Sequence, residues 1–518
     1  MLRKVLKPSR RLITFMAFVS LLLLNWSSYL VIPKAYAKSE TAQSIQPYLN
    51  KVIERVTEFT LDNGIKFIIL ENHDAPVVSF VTYADVGGAN EPDGKTGVAH
   101  FLEHLAFKGT QNIGTTNYVQ ENKLLEQLDQ LSAQIKTAKA GNKSEQAAKL
   151  QQEFDQVQAQ AQKFVKQNEY GRIVEKQGGV GLNAQTTPDA TVYFYSFPSN
   201  KVELWMSLES ERFLEPVFRE FYKEKQVILE ERRLRTDNSP VGRLVEAFLD
   251  KAFSVHPYKR PVIGYDQDIR NLSREDVQQF FNTYYVPNNL TIAIVGDVDP
   301  KQIQKLAQVY FGRYPAKPQP PKVTRVEPQQ NQTRSVSVEF ASQPWYMEGY
   351  HRPAINHQDN AIYEVIASLM SDGLTSRLYK SLVEEKKVAL AAQGFNGFPD
   401  DKYPNIMLFY AMTAPNATVD DVAKALAVEI ERLKTEPVSE KELERVKTQL
   451  RAELLRSLDS NAGMAKLLVE YQVKTGNWRN LFQQLDAISA VTPKDIQRVA
   501  QQTFTPENRT IGQIVSKQ

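Results

Sequence analysis

One stretch of this chain occurs twice. SREDVQQFFNTYYVPNNLTI at residues 273–292 runs in register with TPKDIQRVAQQTFTPENRTI at residues 492–511. Asp276 falls opposite Asp495, Gln278 opposite Gln497, Pro287 opposite Pro506, Asn289 opposite Asn508 and Thr291 opposite Thr510. Each copy reads as a helix, an aromatic, a Pro-x-Asn turn and a strand. Two copies this far apart indicate duplicated α/β domains rather than a short-period solenoid. Length agrees, because 518 residues are too many for one hydrophobic core. Between the copies, YPAKPQPPKVTRVEPQQNQT at residues 314–333 is rich in proline and polar residues and reads as a linker. The expected fold is α+β: two homologous α/β domains, residues 55–313 and 334–518, each an antiparallel-rich sheet with helices on one face.

Ahead of these lies a leader. Arg3, Lys4, Lys7, Arg10 and Arg11 form a basic start, an apolar run covers Leu12 to Leu24, and Ala35-Tyr36-Ala37 offers a cleavage site. Residues 1–37 are therefore expected to be a signal peptide of an exported chain, periplasmic or secreted, or membrane-anchored if the leader is not cleaved. Strand-like text follows in TEFTLDNGIKFIIL, turned at Asp62-Asn63-Gly64, and again from Val77 to Val86 and from Thr191 to Phe197. Residues 117–168 stand apart. Leu124, Leu128, Leu131, Ile135 and Ala138 recur at helical spacing, as do Ala147, Leu150, Phe154, Val157, Ala161 and Phe164. Ala140-Gly141-Asn142 breaks the two runs and Ser144 is placed to cap the second, so a helical hairpin is expected, either a docking arm or a tolerated surface insertion.

Composition closes off several chemistries. There are no cysteines, which excludes disulfides, thiolate metal sites and a cysteine nucleophile. A net charge of +3, with no basic stripe, argues against a nucleic-acid partner.

Within VAHFLEHLAF, His100, Glu103 and His104 sit at i, i+3 and i+4 and share one helix face. Two imidazoles one turn apart can hold one zinc ion, and the carboxylate between them can accept a proton from a water that the metal acidifies to a pKa of about 7. This H-x-x-E-H order is the inverted zinc-peptidase signature. With 6 histidines and 60 acidic residues in the chain, chance produces it about 0.008 times. A catalytic zinc also needs a third protein ligand. FYKEKQVILEERRLR offers Glu224, Glu230 and Glu231 on a helical pattern, and spacing alone does not choose among them.

The segment GGANEPDGKTGVAHFLEHLAFKGT resembles the active-site region of the pitrilysin/insulinase family, in its bacterial branch similar to the β subunit of mitochondrial processing peptidase. The likeness continues through GLNAQTTPDATVYFYSFP, EKQVILEE, HPYKRPVIG, YYVPNNLTIAIVGDVDP and DGLTSRLYKSLVEEKKVA, and so covers the chain from about residue 55 onward. It implies one zinc ion per chain on His100, His104 and Glu231, with Glu103 as general base and Glu224 supporting the site from behind. It implies a peptide substrate added as a strand at Asn183 and Ala184, and a chain forming half of a clam-shell. His256 matches a structural segment, and His73, His351 and His357 read as surface residues.

One departure stands out. Active relatives complete the site with an arginine and a tyrosine, seven apart, from the second domain; alignment puts Glu384 and Ala391 there. The resemblance then implies a homologous, metal-free partner subunit that supplies the pair. Two rivals share the fold: a non-catalytic scaffold, and a zinc-binding, chaperone-like protein that holds peptides without cutting them.

Overall fold

A computed structural model of the chain describes residues 46–516; the leader expected at 1–37 lies outside them. Among the described residues the strands form two sheets. The first contains β1 (Val56–Thr60), β2 (Lys66–Glu71), β3 (Val77–Ala84), β4 (Val180–Thr186), β5 (Thr191–Pro198) and β6 (Leu290–Gly296), in the order β1-β2-β6-β3-β5-β4. The second contains β7 (Arg334–Phe340), β8 (Trp345–Arg352), β9 (Ala389–Phe398), β10 (Asn405–Thr413) and β11 (Arg509–Ser516), in the order β7-β11-β8-β10-β9. β6 runs parallel to β2 and antiparallel to β3, while β11 runs parallel to β7 and antiparallel to β8. Apart from β1, the two sheets have one topology.

The sequence repeat builds the same corner in both. Ser273 and Asp276 form a capping box at the start of helix Arg274–Tyr284, and Thr492 and Asp495 do the same for helix Pro493–Thr503. The Asn289 amide donates to the carbonyls of Tyr284 (2.9 Å) and Asp85 (3.2 Å). The Asn508 amide donates to those of Thr503 and His351, both at 2.9 Å. Each asparagine thus ties the end of its helix to the strand next to the one it leads into, β3 beside β6 and β8 beside β11. Replacing either by alanine strands two carbonyls, and a loss of about 1–3 kcal/mol is expected. A urea midpoint unchanged from the parent would rule this out.

Side-chain alternation sorts each sheet into two faces. Phe67, Ile69, Phe80, Tyr195 and Ile292 point into the core formed with the first half's own helices. Their neighbours Ile68, Val81 and Ala293 are also buried, and the helix Asn461–Thr475, from the second half of the chain, packs on β3 and β6. The exchange is mutual. Helix Pro240–Ala252, from the first half, packs on β7 and β11, where Leu244 and Phe248 meet Met347, Ile406, Leu408 and Ile514. Gly349 on β8 makes room: a Cβ there would lie 2.9 Å from the Phe248 ring. Each half's helices therefore cover one face, and the other half covers the second.

The proline-rich stretch forms neither helix nor strand from 315 to 333, yet it is pinned along its length. Arg325 pairs with Asp93, which Arg260 also grips. Glu327 accepts the backbone N–H groups of Ser254, Val255 and His256 at 2.7–2.9 Å. The expected hairpin forms from helices Tyr118–Ala140 and Ser144–Gln162, zipped by Leu125, Leu128, Leu131, Phe154 and Val157. The cap assigned to Ser144 is corrected. The helix begins at Ser144 itself, after Lys143, and no side-chain cap forms, because the turn through Asn142 (φ 55°) has already closed.

Candidate functional site

The helix Val98–Leu105 begins abruptly. Gly97, at φ 88°, precedes it, and a Cβ there would lie 2.6 Å from the Ile263 carbonyl oxygen. The buried Glu91 carboxylate accepts the N–H groups of Gly97 and Ala99, both at 2.9 Å, which satisfies two donors at the helix start. Burial pushes Glu91 up to about 8 despite those bonds. Val98, Phe101, Leu102 and Leu105 face the core. Phe101 stacks on Phe221 with ring centroids 4.7 Å apart, and this seats the helix Phe221–Arg232 against the motif helix.

That contact brings the distant carboxylates into place. Donor atoms of His100, His104 and Glu231 all lie within 4.8 Å of one another. His100 Nε2 is 3.7 Å from Glu231 Oε1, and His104 Nε2 is 3.4 Å from Glu231 Oε2. Nitrogen and oxygen donors arranged tetrahedrally around zinc stand roughly 3.4 Å apart, so the trio fits that ion. Glu230, one residue away, is exposed and paired with Arg233 instead. On the far side of His104, Nδ1 is 3.0 Å from Glu224, whose other oxygen takes Lys108 at 2.6 Å. This fixes the imidazole so that Nε2 faces Glu231. Glu224→Gln is expected to weaken zinc binding about 10–100-fold, measured by competition with a chromophoric chelator; a shift under threefold would refute the supporting role.

Burial and neighbouring charges shift His100, Glu103, His104 and Glu231. Burial, then the neighbouring His104, pushes His100 down to about 4, leaving a neutral imidazole. Burial also works against a charged His104, but hydrogen bonds to Glu224 and Glu231 outweigh it and raise it to about 9. Glu231 is held down at about 2: burial is outweighed by His104 together with the charges of His100 and Arg235. Glu103 is raised by burial more than the Thr186 hydroxyl, donating to it, lowers it. A half-buried carboxylate of raised basicity beside the donor trio is placed to take a proton.

Thr186 ends β4, the outer strand of the first sheet, which pairs on one side only. Asn183, exposed, and Ala184, buried, lie on the same strand. Cavities of about 400 and 410 Å³ share Phe107 and Asn168 and join Glu103 and His104 to Leu182 and Asn183. In the second half of the chain Glu384 is exposed on the helical turn Tyr379–Glu385, and Ala391 lies on the outer strand β9, opposite Met412. His256 is buried away from the trio, with Nδ1 accepting the Tyr258 N–H. His73 and His357 are open to solvent, while His351 is half-buried: its ring meets Phe253 and bonds the Ala252 carbonyl oxygen at 3.0 Å. A second acidic group, Asp189, Asp400 and Asp401, already holds the Lys474 ammonium, 2.7 Å from Asp400 and 2.5 Å from Asp401.

Sequence reasoning missed Glu91, Lys108, Thr186 and Arg235, which pairs with Glu231 at 2.7 Å. Each acts across the fold or from an unremarkable position, and no local pattern marks it.

Comparison with known proteins gives the family of the chain. The profile described as Insulinase (Peptidase family M16) matches residues 66–153 and 159–266, and that described as Peptidase M16 inactive domain matches residues 271–450. The zinc protease PqqE of Helicobacter pylori is 30% identical over 460 residues, 87% of this chain and 89% of that protein. The probable mitochondrial-processing peptidase subunit beta of Schizosaccharomyces pombe is 24% identical over 497 residues, 91% of this chain and 94% of that one. A crystal structure of a protease from Helicobacter pylori superposes with a TM-score of 0.75 at 27% identity, covering 89% of this chain and 99% of that one. The chain belongs to the insulinase family of zinc peptidases, peptidase family M16.

Proposed function

We propose that this chain is a zinc-dependent endopeptidase acting on peptides and unfolded segments. The observation that carries the reading is the convergence of His100, His104 and Glu231 beside the half-buried Glu103. A zinc ion held there supplies Lewis acidity toward the attacking water and the scissile carbonyl. Glu103 takes the proton of that water and returns it to the leaving amine. Thr186 orients Glu103, and Glu224 with Lys108 orients His104. The free edge of β4 at Asn183 and Ala184 receives the substrate as an added strand, which leads its backbone toward Glu103.

The reading includes a partner. Glu384 and Ala391 offer no cation and no phenol to position the scissile carbonyl, so a homologous, metal-free subunit brings an arginine and a tyrosine to the chamber. The beta subunit named among the relatives supports such an arrangement. The leader at 1–37 directs the chain out of the cytoplasm, as a periplasmic or secreted protein.

The test is hydrolysis of a quenched peptide by residues 38–518 loaded with zinc, alone and mixed with a metal-free homologue from the same cell. Chelator-sensitive turnover that appears on mixing is expected. Full turnover by the chain alone would remove the partner from the proposal. Bound zinc with no turnover in either case would favour the peptide-binding or scaffold reading, which the absent arginine–tyrosine pair also allows.

A further inference from the structure

The helix Phe221–Arg232 has a second face. Glu224 and Glu231 are seven residues apart and point toward the motif helix, while Tyr222, Gln226 and Leu229 lie about half a turn away. These three line a cleft of about 960 Å³ roofed by the helical hairpin, which is large enough for a drug-sized molecule. The cleft serves none of the chemistry described above.

Its walls combine an apolar strip with polar side chains and an excess of unpaired cations. Phe154, Ile135 and Leu272 join Tyr222 and Leu229 as apolar surface. Of the basic residues, Arg270 is clamped by Asp266, and Arg274 by Asp129, which also accepts the Tyr222 hydroxyl. Lys136, Lys139 and Lys225 form no ion pair among the described residues, and the acids left over, Asp155 and Glu275, are exposed. Lys225 matters most because it is buried. Its ammonium donates to the carbonyls of Arg270 (3.3 Å) and Leu272 (2.6 Å) and lies over the rings of Phe221 and Tyr222, with no carboxylate partner. Burial, then the like charge of Lys136, depresses it to about 8. An uncompensated buried charge is costly, and an anion in the cleft relieves it.

We infer that this cleft binds a small organic anion, an acidic head on an apolar body, with Lys225 and Lys136 at the head and Tyr222, Phe154 and Leu229 along the body. The occupant sits roughly 10 Å, one helix diameter, behind the donor trio. The inference does not depend on the peptidase reading.

The test is a fluorescence titration of the whole folded chain with 8-anilinonaphthalene-1-sulfonate, an aromatic anion, followed by competition with octanoate and with octanol. Saturable binding at one site is expected, displaced by octanoate and at least tenfold less well by octanol. Lys225→Met should weaken the dye at least tenfold. Because that variant also loses two carbonyl contacts, Ala133→Trp serves as the second arm. It fills the cleft from the exposed side of the hairpin and should abolish binding at an unchanged melting temperature. No saturable binding to the parent chain, undiminished binding by Ala133→Trp, or equal displacement by octanol would each overturn the proposal.

Discussion

Glu103→Gln is expected to lower peptide turnover by about 10²–10⁴-fold while one zinc ion per chain is still bound. The substitution keeps the shape of the side chain, and the Thr186 hydroxyl retains an oxygen to bond. On the proposed reading His100, His104 and Glu231 would hold the metal without Glu103, so the substitution leaves that donor set untouched. What is lost is the carboxylate that accepts a proton. Metal content and kcat, measured on one preparation in the presence of whatever subunit activity requires, separate the two roles. Turnover within tenfold of the parent would show that Glu103 is not the base, and loss of zinc together with turnover would show that it acts through the metal site.

Lys474→Met is expected to destabilise the fold by about 3–5 kcal/mol, the range for removing one partner from a buried ionic cluster. The Lys474 ammonium, almost fully buried, lies within 3.0 Å of Asp400, Asp401 and Glu470. Asp400 in turn accepts the Asp189 N–H, and Asp189 takes the Tyr258 hydroxyl and the Lys402 N–H. One cation cannot satisfy every acid. Burial works to raise Asp400, but Lys474 holds it below its ordinary range, whereas Asp401 is pushed up to about 6 by burial with its neighbouring carboxylates. Without Lys474 the native carboxyls are all raised, so the variant takes up protons on folding. Its deficit should be largest at neutral pH and shrink as the pH falls toward 4. Urea midpoints at pH 7 and pH 5 measure both effects, and a deficit below 1 kcal/mol at pH 7 would contradict the argument.

The metal motif was legible because its geometry is local: His100, Glu103 and His104 need only one turn of helix to share a face. The repeat was legible for a similar reason. Ser273 with Asp276, and Asn289 with the turn before it, act within a few residues, and so do Thr492, Asp495 and Asn508. Glu231 was different. Spacing gave no reason to prefer it to Glu230, because the choice depends on how Phe101 stacks on Phe221 across the fold. Resemblance to a family pointed to the residue that now lies beside the histidines. Thr186, Lys108 and Arg235 carry no pattern of their own and join the site only through tertiary contacts. The proline-rich stretch has a linker's composition, yet Glu327 and Arg325 find backbone amides and an aspartate that no local pattern could locate. The hairpin's interior was read nearly in register, with Leu125 buried more deeply than Leu124, while the Ser144 cap failed by one residue at a turn.

The crossed helices have a consequence for how the chain acquires its structure. A fragment ending near residue 313 would carry Leu244 and Phe248 with nothing to cover them, and would expose Ile68, Val81 and Ala293 where the helix Asn461–Thr475 belongs. Each sheet needs a helix made by the opposite end of the polypeptide, so the first half emerging from the ribosome cannot complete its own core. Synthesis must near residue 475 before the first sheet is sealed and residue 516 before the second is, and denaturation should then proceed as one cooperative transition in which the donor trio is lost together with the rest.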